Sequence, residues 1–389
     1  MFPIGAAATV GELEGPAPYG LLARLRANEP VSWLPALDGW LVTRHDLALK
    51  VMRDAETFTV QDPRFTTGQV VGPSMLSLDG DQHARHRAPF VPPLRLGEVR
   101  ERLATAVADE AQRLGASLAA QGRGELRRGF AGPLAATVIT RTLGLDAAMA
   151  GEVLRWYDAI VSAVTDLSAG RPPGPEAEQA MAELRGTVRD ALAPGAGPSL
   201  LRDAAGPGAL SEAEVAANAA IVLFGAIETM EGMIANAIAH LLGDAAALAA
   251  VRADRALLSG AIEESLRLEP AAAAVDRYAT ADTELGGAQI AGGDLVRVSL
   301  TGANRDPAVF SDPERFDLRR VNARRHVAFA SGPHVCIGVH LARLETDVAL
   351  SALLGRLPGL RLDPAQPRPA AHGLVFRKPP WVHAVWAPA

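Results

Sequence analysis

Along most of the chain, apolar positions return every three to four residues within an Ala/Leu/Arg/Glu texture, the spacing of one buried helical face. This pattern predicts helices near 97–121, 131–144, 149–166, 174–192, 212–243, 247–268 and 338–355. Two stretches break it. Residues 30–47, PVSWLPALDGWLVTRHDL, carry two short apolar runs about a turn and read as a hairpin. Thr283–Leu300, TELGGAQIAGGDLVRVSL, combines β-branched residues with Gly-Gly turns and reads as a second β patch. The loops LSAGRPPGPEAE (167–178) and LAPGAGPSLLRDAAGPGALS (192–211) interrupt helices but keep strongly helical flanks, so they are loops inside one fold. The expected architecture is mainly α with small β-sheets, one domain spanning 1–389, with β-rich portions near 30–60 and 275–300.

Composition narrows the function class. With 49% apolar residues the chain can bury a large core. A net charge of −6 argues against a general nucleic-acid binder or a binder of anionic membranes. Arginines nevertheless cluster at Arg85–Arg87 and Arg319–Arg325, which suits a small anion or a docking partner. The start, MFPIGAAATVGELEG, lacks the basic region of a signal peptide, and no uninterrupted apolar run of about 18 residues suggests a membrane span. One cysteine supports no disulfide framework and fits a reducing compartment. A cytoplasmic monomer, bound to neither nucleic acid nor membrane, is expected.

That cysteine, Cys336, lies in FASGPHVCIGVHLARLE (329–345), between a Gly/Pro loop and the start of an amphipathic helix. Free N–H groups and the macrodipole at a helix start favour an anion and lower a cysteine pKa. Gly332 and Pro333 shape the entering loop, and Gly338 removes a Cβ where backbone must approach closely. A lone cysteine is most often a small buried hydrophobe. As a nucleophile it would need a base, and His334, two residues away on an extended loop, points elsewhere. Zinc would need more ligands than one thiolate. A single axial thiolate on a larger cofactor remains, and haem iron is the obvious case.

The string from Phe329 to Glu345 resembles the cysteine-ligand loop of the cytochrome P450 family, Phe–Gly–x–Gly–x–His–x–Cys–x–Gly followed by a helix. It departs at Ala330, where the first glycine is usual; an alanine is expected there at negative φ. The resemblance implies haem b, iron protoporphyrin IX, with Cys336 as its axial ligand. Other family marks follow in order from about residue 74 to 345. In AIEESLRLEP, Glu264 and Arg267 resemble the first two members of a structural Glu–Arg–Arg network, with Arg315 of PERF as the third. In MLSLDGDQHARHRAPF, Asp79 and Gln82 have capping-box spacing, which places His83 and Arg87 on one face of the helix that follows. The family binds haem propionates through this pair, and Arg277 and His334 match the other propionate partners.

The apolar helix at 211–242, about 45 Å long at roughly 1.5 Å per residue, carries Glu228 and Thr229 in its middle. Thr229 can bond the Gly225 carbonyl four residues back and open the helix ladder. This resembles the family's oxygen-binding groove and its acid–alcohol pair, with Ala226 for the second glycine and Met230 for the last threonine.

The implied activity is a monooxygenase that activates O2 to hydroxylate or epoxidise a largely apolar small molecule, as in secondary metabolism. Glu228 and Thr229 would relay protons. Ile221, Phe224, Gly225, Ala273 and Val275 would line the substrate pocket, under a roof at 59–75 and a lid at 167–178. With no flavin or iron–sulfur module in the chain, electrons are expected from ferredoxin and ferredoxin reductase, docking near Arg95, Arg100, Arg324 and Arg325. A peroxide-driven, coupling or rearrangement reaction at the same haem is the competing reading, and a non-enzymatic haem protein the third. The Glu228–Thr229 pair favours the O2-dependent one.

Overall fold

The computed structural model describes residues 2–168, 171–193, 199–206 and 210–388. Its longest helix runs from Glu212 to Gly243, as the periodicity predicts. Ser211 starts it with a capping box: its side chain accepts the Glu214 N–H while Glu214 reaches back to the Ser211 backbone. Among the described residues this is the one helix long and apolar enough to cross a membrane, and 78% of that apolar window is buried in protein. It is the central beam of the fold.

Two cores meet along it. Its first half, with Val215, Leu223 and Ile227, packs on Trp156, Ile160, Met181 and Leu184 of the helices Ala150–Ser168 and Pro175–Leu192. Its second half, with Ile234, Ile238 and Leu241, packs on Val107 and Leu114 of the helix Ala104–Ala119 and on Leu350 and Leu353 of the cysteine helix, Val339–Arg356. The changeover falls at Glu228 and Thr229. The acid and alcohol therefore sit between two packed bodies and not inside either.

Two expected helices are each divided. The stretch 97–121 forms Leu96–Arg102 and Ala104–Ala119, and 247–268 forms Ala245–Ala253 and Leu258–Leu268. In the second case Asp254 leaves the helical region and its side chain accepts the Ala256 N–H, the local bond by which aspartate competes with a helix interior. Of the expected lid, 169–170 lie outside the described residues, as do 194–198 and 207–209 of the second loop.

Among the described residues ten strands complete the fold: β1 (Val31–Leu34), β2 (Gly39–Val42), β3 (Phe58–Thr59), β4 (Arg123–Glu125), β5 (Ala274–Ala279), β6 (Thr283–Leu285), β7 (Ala288–Ile290), β8 (Leu295–Ser299), β9 (Arg361–Leu362) and β10 (His383–Val385). The hairpin expected at 30–47 is β1–β2, with Trp33 opposite Trp40 and their rings 5.5 Å apart. It leads a five-stranded sheet in the order β1-β2-β8-β5-β3. In that sheet Asp276 on β5 faces Arg297 on β8, and the pair closes with two bonds of 2.7 Å. Strand alternation puts Val275 and Arg277 on the other face.

A buried staple joins the chain's two ends to this frame. The Arg377 guanidinium bonds Glu269 at 2.8 Å and the carbonyls of Gly15, Ala371 and Gly373 at 2.8 to 3.0 Å.

Candidate active site

The loop carrying Cys336 is held by its own backbone and by neighbours on both sides. The Cys336 N–H donates to the Phe329 carbonyl at 2.9 Å, and Arg87 Nη2 donates to the Val335 carbonyl at 2.5 Å. Gly332 has φ +75°, and a Cβ on it would lie 2.4 Å from the Met52 carbonyl oxygen, so the loop seats directly on the backbone of the helix His45–Arg53. Ala330 overturns its expectation: it sits at φ +59°, in the left-handed region, because the turn needs that conformation whichever residue fills it. A side chain there costs about 1–2 kcal/mol. Ala330→Gly should therefore stabilise the protein by about 0.5–1 kcal/mol, after the roughly 0.4–1 kcal/mol that glycine's unfolded-state freedom takes back. Urea unfolding checks it, and a loss of stability would contradict the strain.

The Cys336 side chain is exposed by surface area, yet protein crowds it closely enough that burial pushes its thiol up. Both hold for a group lining an internal cleft. The Gly338 N–H, Arg87 and Arg343 pull the other way without prevailing, so the lowered pKa expected at a helix start is not realised. A coordinating metal deprotonates a thiol outright; the protein alone does not. Gly338 is the N-cap of the cysteine helix at φ −83°, and a Cβ there would meet only Cys336 Sγ, at 3.8 Å. The close backbone approach expected at Gly338 is absent within the protein, and its visible contribution is the N–H facing sulfur.

Beside this loop the structure gathers His83, Arg87, Arg277 and His334. The His83 and His334 rings lie 4.2 Å apart. Arg277 is 4% exposed, and its burial pushes the guanidinium pKa down. His83 falls to about 4, mainly through burial, with His334 and Arg87 adding repulsion. Asp79 does not cap its helix, against expectation. Its carboxylate instead accepts bonds from Thr59 Oγ1 (2.6 Å), the Val60 N–H (2.8 Å) and His334 Nε2 (2.7 Å). Burial is the largest single influence on Asp79 and opposes ionisation, but His334 and Thr59 hold its carboxyl well below the usual range.

Of the four basic side chains Asp79 bonds one, His334, and exerts its charge on His83 and Arg277. Among the described residues His83 Nε2 is buried without a hydrogen-bond partner. A basic cluster of this kind fits the two carboxylates of a porphyrin, and a thiol at the cleft fits its iron.

The long helix keeps one narrow stripe open. Most of its middle is buried, but Val222, Gly225, Ala226 and Thr229 are partly exposed, a stripe at i, i+3, i+4 and i+7. A Cβ on Gly225 would meet nothing within 4 Å, and Thr229 Oγ1 donates to the Gly225 carbonyl at 2.5 Å, as expected. Ile221 and Phe224, expected in the pocket, are buried in the core shared with the helix Ala150–Ser168, and Phe224 stacks edge-on against Phe376 at 5.5 Å. Ala273 is likewise buried, its N–H and carbonyl spent on Val375 and Leu300. Gly225 and Val275 keep accessible surface; Val222 and Ala226 join them.

Glu228 is tied down. Its carboxylate takes Lys378 Nζ at 2.9 Å on one oxygen and the Tyr157 hydroxyl on the other. Lys378 also reaches Glu231 at 2.6 Å, and Arg127 meets Glu231 at 3.0 Å. Sequence reading missed both partners of Glu228. One signal existed: Lys378 is one of only two lysines in an arginine-rich chain, the other being Lys50.

The Glu264–Arg267 pair forms with both side chains fully buried. Its third member is Arg320, whose Nε lies 3.0 Å from Glu264, not Arg315. Arg315 is exposed and contributes only its carbonyl, which accepts from Arg267 at 2.9 Å. The adjacent Glu263, also unforeseen, binds Arg343 at 2.6 and 3.0 Å and His326 at 3.1 Å, and the Arg343 guanidinium lies 4.9 Å from the centre of the Phe329 ring.

On the cysteine helix, Glu345 is 1% exposed, has an unpartnered carboxyl oxygen, and burial pushes it up to about 8. A carboxyl raised in the folded state costs nothing below its unfolded pKa of 4.5, then destabilises increasingly until pH 8. At pH 7 the cost is about 3 kcal/mol. Glu345→Gln should recover most of it at pH 7.5 and almost none at pH 4.5, read by urea unfolding at both. Equal gains at the two pH values would contradict the assignment.

The family model for Cytochrome P450 matches residues 198–382. The chain is 36% identical to 20-oxo-5-O-mycaminosyltylactone 23-monooxygenase of Streptomyces fradiae, over 87% of this chain and 82% of that protein. It is also 36% identical to the cytochrome P450 monooxygenase PikC of Streptomyces venezuelae, over 89% and 85%. Among solved structures, CalO2 superposes with a TM-score of 0.88 at 29% identity, covering 96% of each chain.

Proposed function

Because the chain belongs to the cytochrome P450 family, we propose that Cys336 ligates haem iron and that Glu228 and Thr229 move protons on the opposite side of the cleft. The protein is a haem-thiolate monooxygenase, an oxidoreductase whose cofactor is haem b and whose substrate is a small apolar molecule. The observation that carries the site assignment is the basic cluster with its unpartnered His83 Nε2 beside the cysteine loop. Bound haem supplies O2 binding and the oxidation of an unactivated C–H bond.

The chain's own residues do the rest. Arg87, Arg277, His83 and His334 would hold the porphyrin carboxylates. The Gly338 N–H, facing the sulfur, tempers its charge and so tunes the metal. Thr229 spends its proton on the Gly225 carbonyl, which leaves its lone pairs free to accept a bond from water or an O–H in the groove. Glu228 is one residue away, and Lys378 and Tyr157 keep its carboxylate in place until a proton is needed. The small side chains of the stripe leave an apolar space for the substrate. The streptomycete relative is named for oxidation of a mycaminosyltylactone, and a comparable role on an apolar secondary metabolite is the reading we favour.

Electrons come from a separate redox partner. We assign this role to a ferredoxin and its reductase in the cytoplasm. Arg95, Arg100, Arg324 and Arg325 are exposed, as a docking face for an acidic iron–sulfur protein requires. Reversing the charge at Arg324 and Arg325 together should slow electron transfer from a ferredoxin by about tenfold at low salt, with the gap closing as salt rises. An unchanged rate at low salt would remove this face from consideration. The function is tested by product formation with O2, NAD(P)H and surrogate partners against peroxide alone. Turnover with peroxide but not with O2 would favour the peroxide-driven alternative.

A further inference from the structure

The roof segment is pinned at both ends, and one pin lies inside the long helix. At the outer end Arg64 pairs with Asp62 at 2.8 Å, donates to the Gly293 carbonyl at 2.5 Å and lies 4.5 Å from the centre of the Tyr278 ring. The short helix Thr66–Val71 follows and ends at Gly72, whose φ of +90° favours glycine. At the inner end the Met75 N–H donates to Asn218 Oδ1 at 2.8 Å.

Asn218 is fully buried, and its amide is spent completely. Oδ1 takes Met75; Nδ2 donates to the Glu214 carbonyl at 2.7 Å and to His86 Nδ1 at 2.9 Å. His86 is 2% exposed, and its other ring nitrogen lies 3.3 Å from Glu214, which Arg85 also grips. Ser74 and Ser77 knot the chain beside Met75 through bonds of 3.1 Å in both directions. Asn218 and Val222 are i and i+4, so the inner pin lies one turn from the open stripe and on its side of the helix. The distance between roof and stripe is therefore fixed from the helix that carries the stripe.

We propose that Asn218 is a positioning residue that sets the height of the roof over the Val222–Thr229 stripe, and with it the ligand size the pocket admits. This rests on the reading that residues 59–75 line the substrate pocket. Asn218→Leu keeps the volume but strands two buried groups, the Met75 N–H and His86 Nδ1, and releases the roof to reach water.

The test is optical titration of the ferric holoenzyme with two nitrogen ligands, imidazole and clotrimazole. Imidazole needs only the iron; clotrimazole is a bulky triaryl azole that reaches the roof. In Asn218→Leu the clotrimazole affinity should fall about tenfold while imidazole stays within about twofold. A clotrimazole-to-imidazole ratio that is unchanged or raised overturns the proposal. Failure of the haem reading looks different, since imidazole would then give no shift even with the unsubstituted protein. Should the variant not fold, hydrogen exchange on the unsubstituted protein decides: the Met75 amide should exchange as slowly as those of the long helix, and exchange as fast as residues 62–70 overturns the proposal.

Discussion

Cys336→Ala should abolish monooxygenase turnover and remove the red-shifted Soret band that a thiolate gives the reduced carbonyl adduct. No second thiol exists in the chain to take its place. His334, two residues away, has its Nε2 committed to Asp79 at 2.7 Å and its ring tilted against that of His83 at 4.2 Å. The substitution removes a single sulfur atom from a side chain that lines the cleft beside its loop, so stability of the haem-free protein should change by no more than about 1 kcal/mol. That contrast is what makes the result diagnostic. Spectra of the reduced carbonyl adduct and product analysis read the first part, and unfolding of the haem-free protein reads the second. A variant that kept the thiolate-type band would sink the ligand assignment. One that lost both the band and a large part of its stability would make Cys336 a packing residue first.

Arg267→Met should destabilise the fold by about 3–5 kcal/mol, the usual cost of leaving one member of a buried ion pair without its partner. The size follows from what Arg267 holds. Its guanidinium takes both Glu264 oxygens at 2.7 and 3.0 Å and three carbonyls, of Asn304, Pro313 and Arg315, at 2.6 to 3.2 Å. Glu264 in turn accepts the Asp317 N–H at 3.0 Å and faces Arg320. The guanidinium, both Glu264 oxygens and the Asn304 bond are buried, and methionine answers none of these groups. Against a total of about 5–15 kcal/mol, this is a large fraction of the native margin. Segments 304–320 and the cysteine loop beyond should loosen together, so haem retention should fall along with the melting temperature. Arg315→Ala should cost far less, because among the described residues its bonds are made by its backbone, the carbonyl to Arg267 and the N–H to Asp312. If the two variants were equally damaging, Arg315 and not Arg320 would be the working third member.

Much of the site was legible because its chemistry is written locally. A cysteine two residues after a histidine, at the start of a helix, needs no distant contact to be recognised. Thr229 and Gly225 lie one helical turn apart, and their bond follows from the helix itself. The same holds for the paired Glu264 and Arg267, three residues apart on one helix. The errors have a common cause. Asp79 had the spacing of a cap, but a histidine 255 residues away competes for its carboxylate. Arg315 had the right neighbours in sequence, but the chain turns at Asp317 and brings Arg320 inward instead. Ile221 and Phe224 lie on a plausible face of the long helix. Which of its faces would be covered depended on how the helix Ala150–Ser168 packs against it, and periodicity carries no such information.

The amino-acid order by itself determined the cysteine loop, the central helix with its acid and alcohol, and the class of chemistry, because each rests on residues within a few positions of one another. Tertiary structure alone decided which basic groups gather beside the loop, that Lys378 and Tyr157 hold Glu228, that Ala330 takes a left-handed turn, and which stripe of the long helix stays open. Those outcomes depend on packing between segments far apart in the chain, where burial and competition for each charge choose among partners that local spacing leaves equally available.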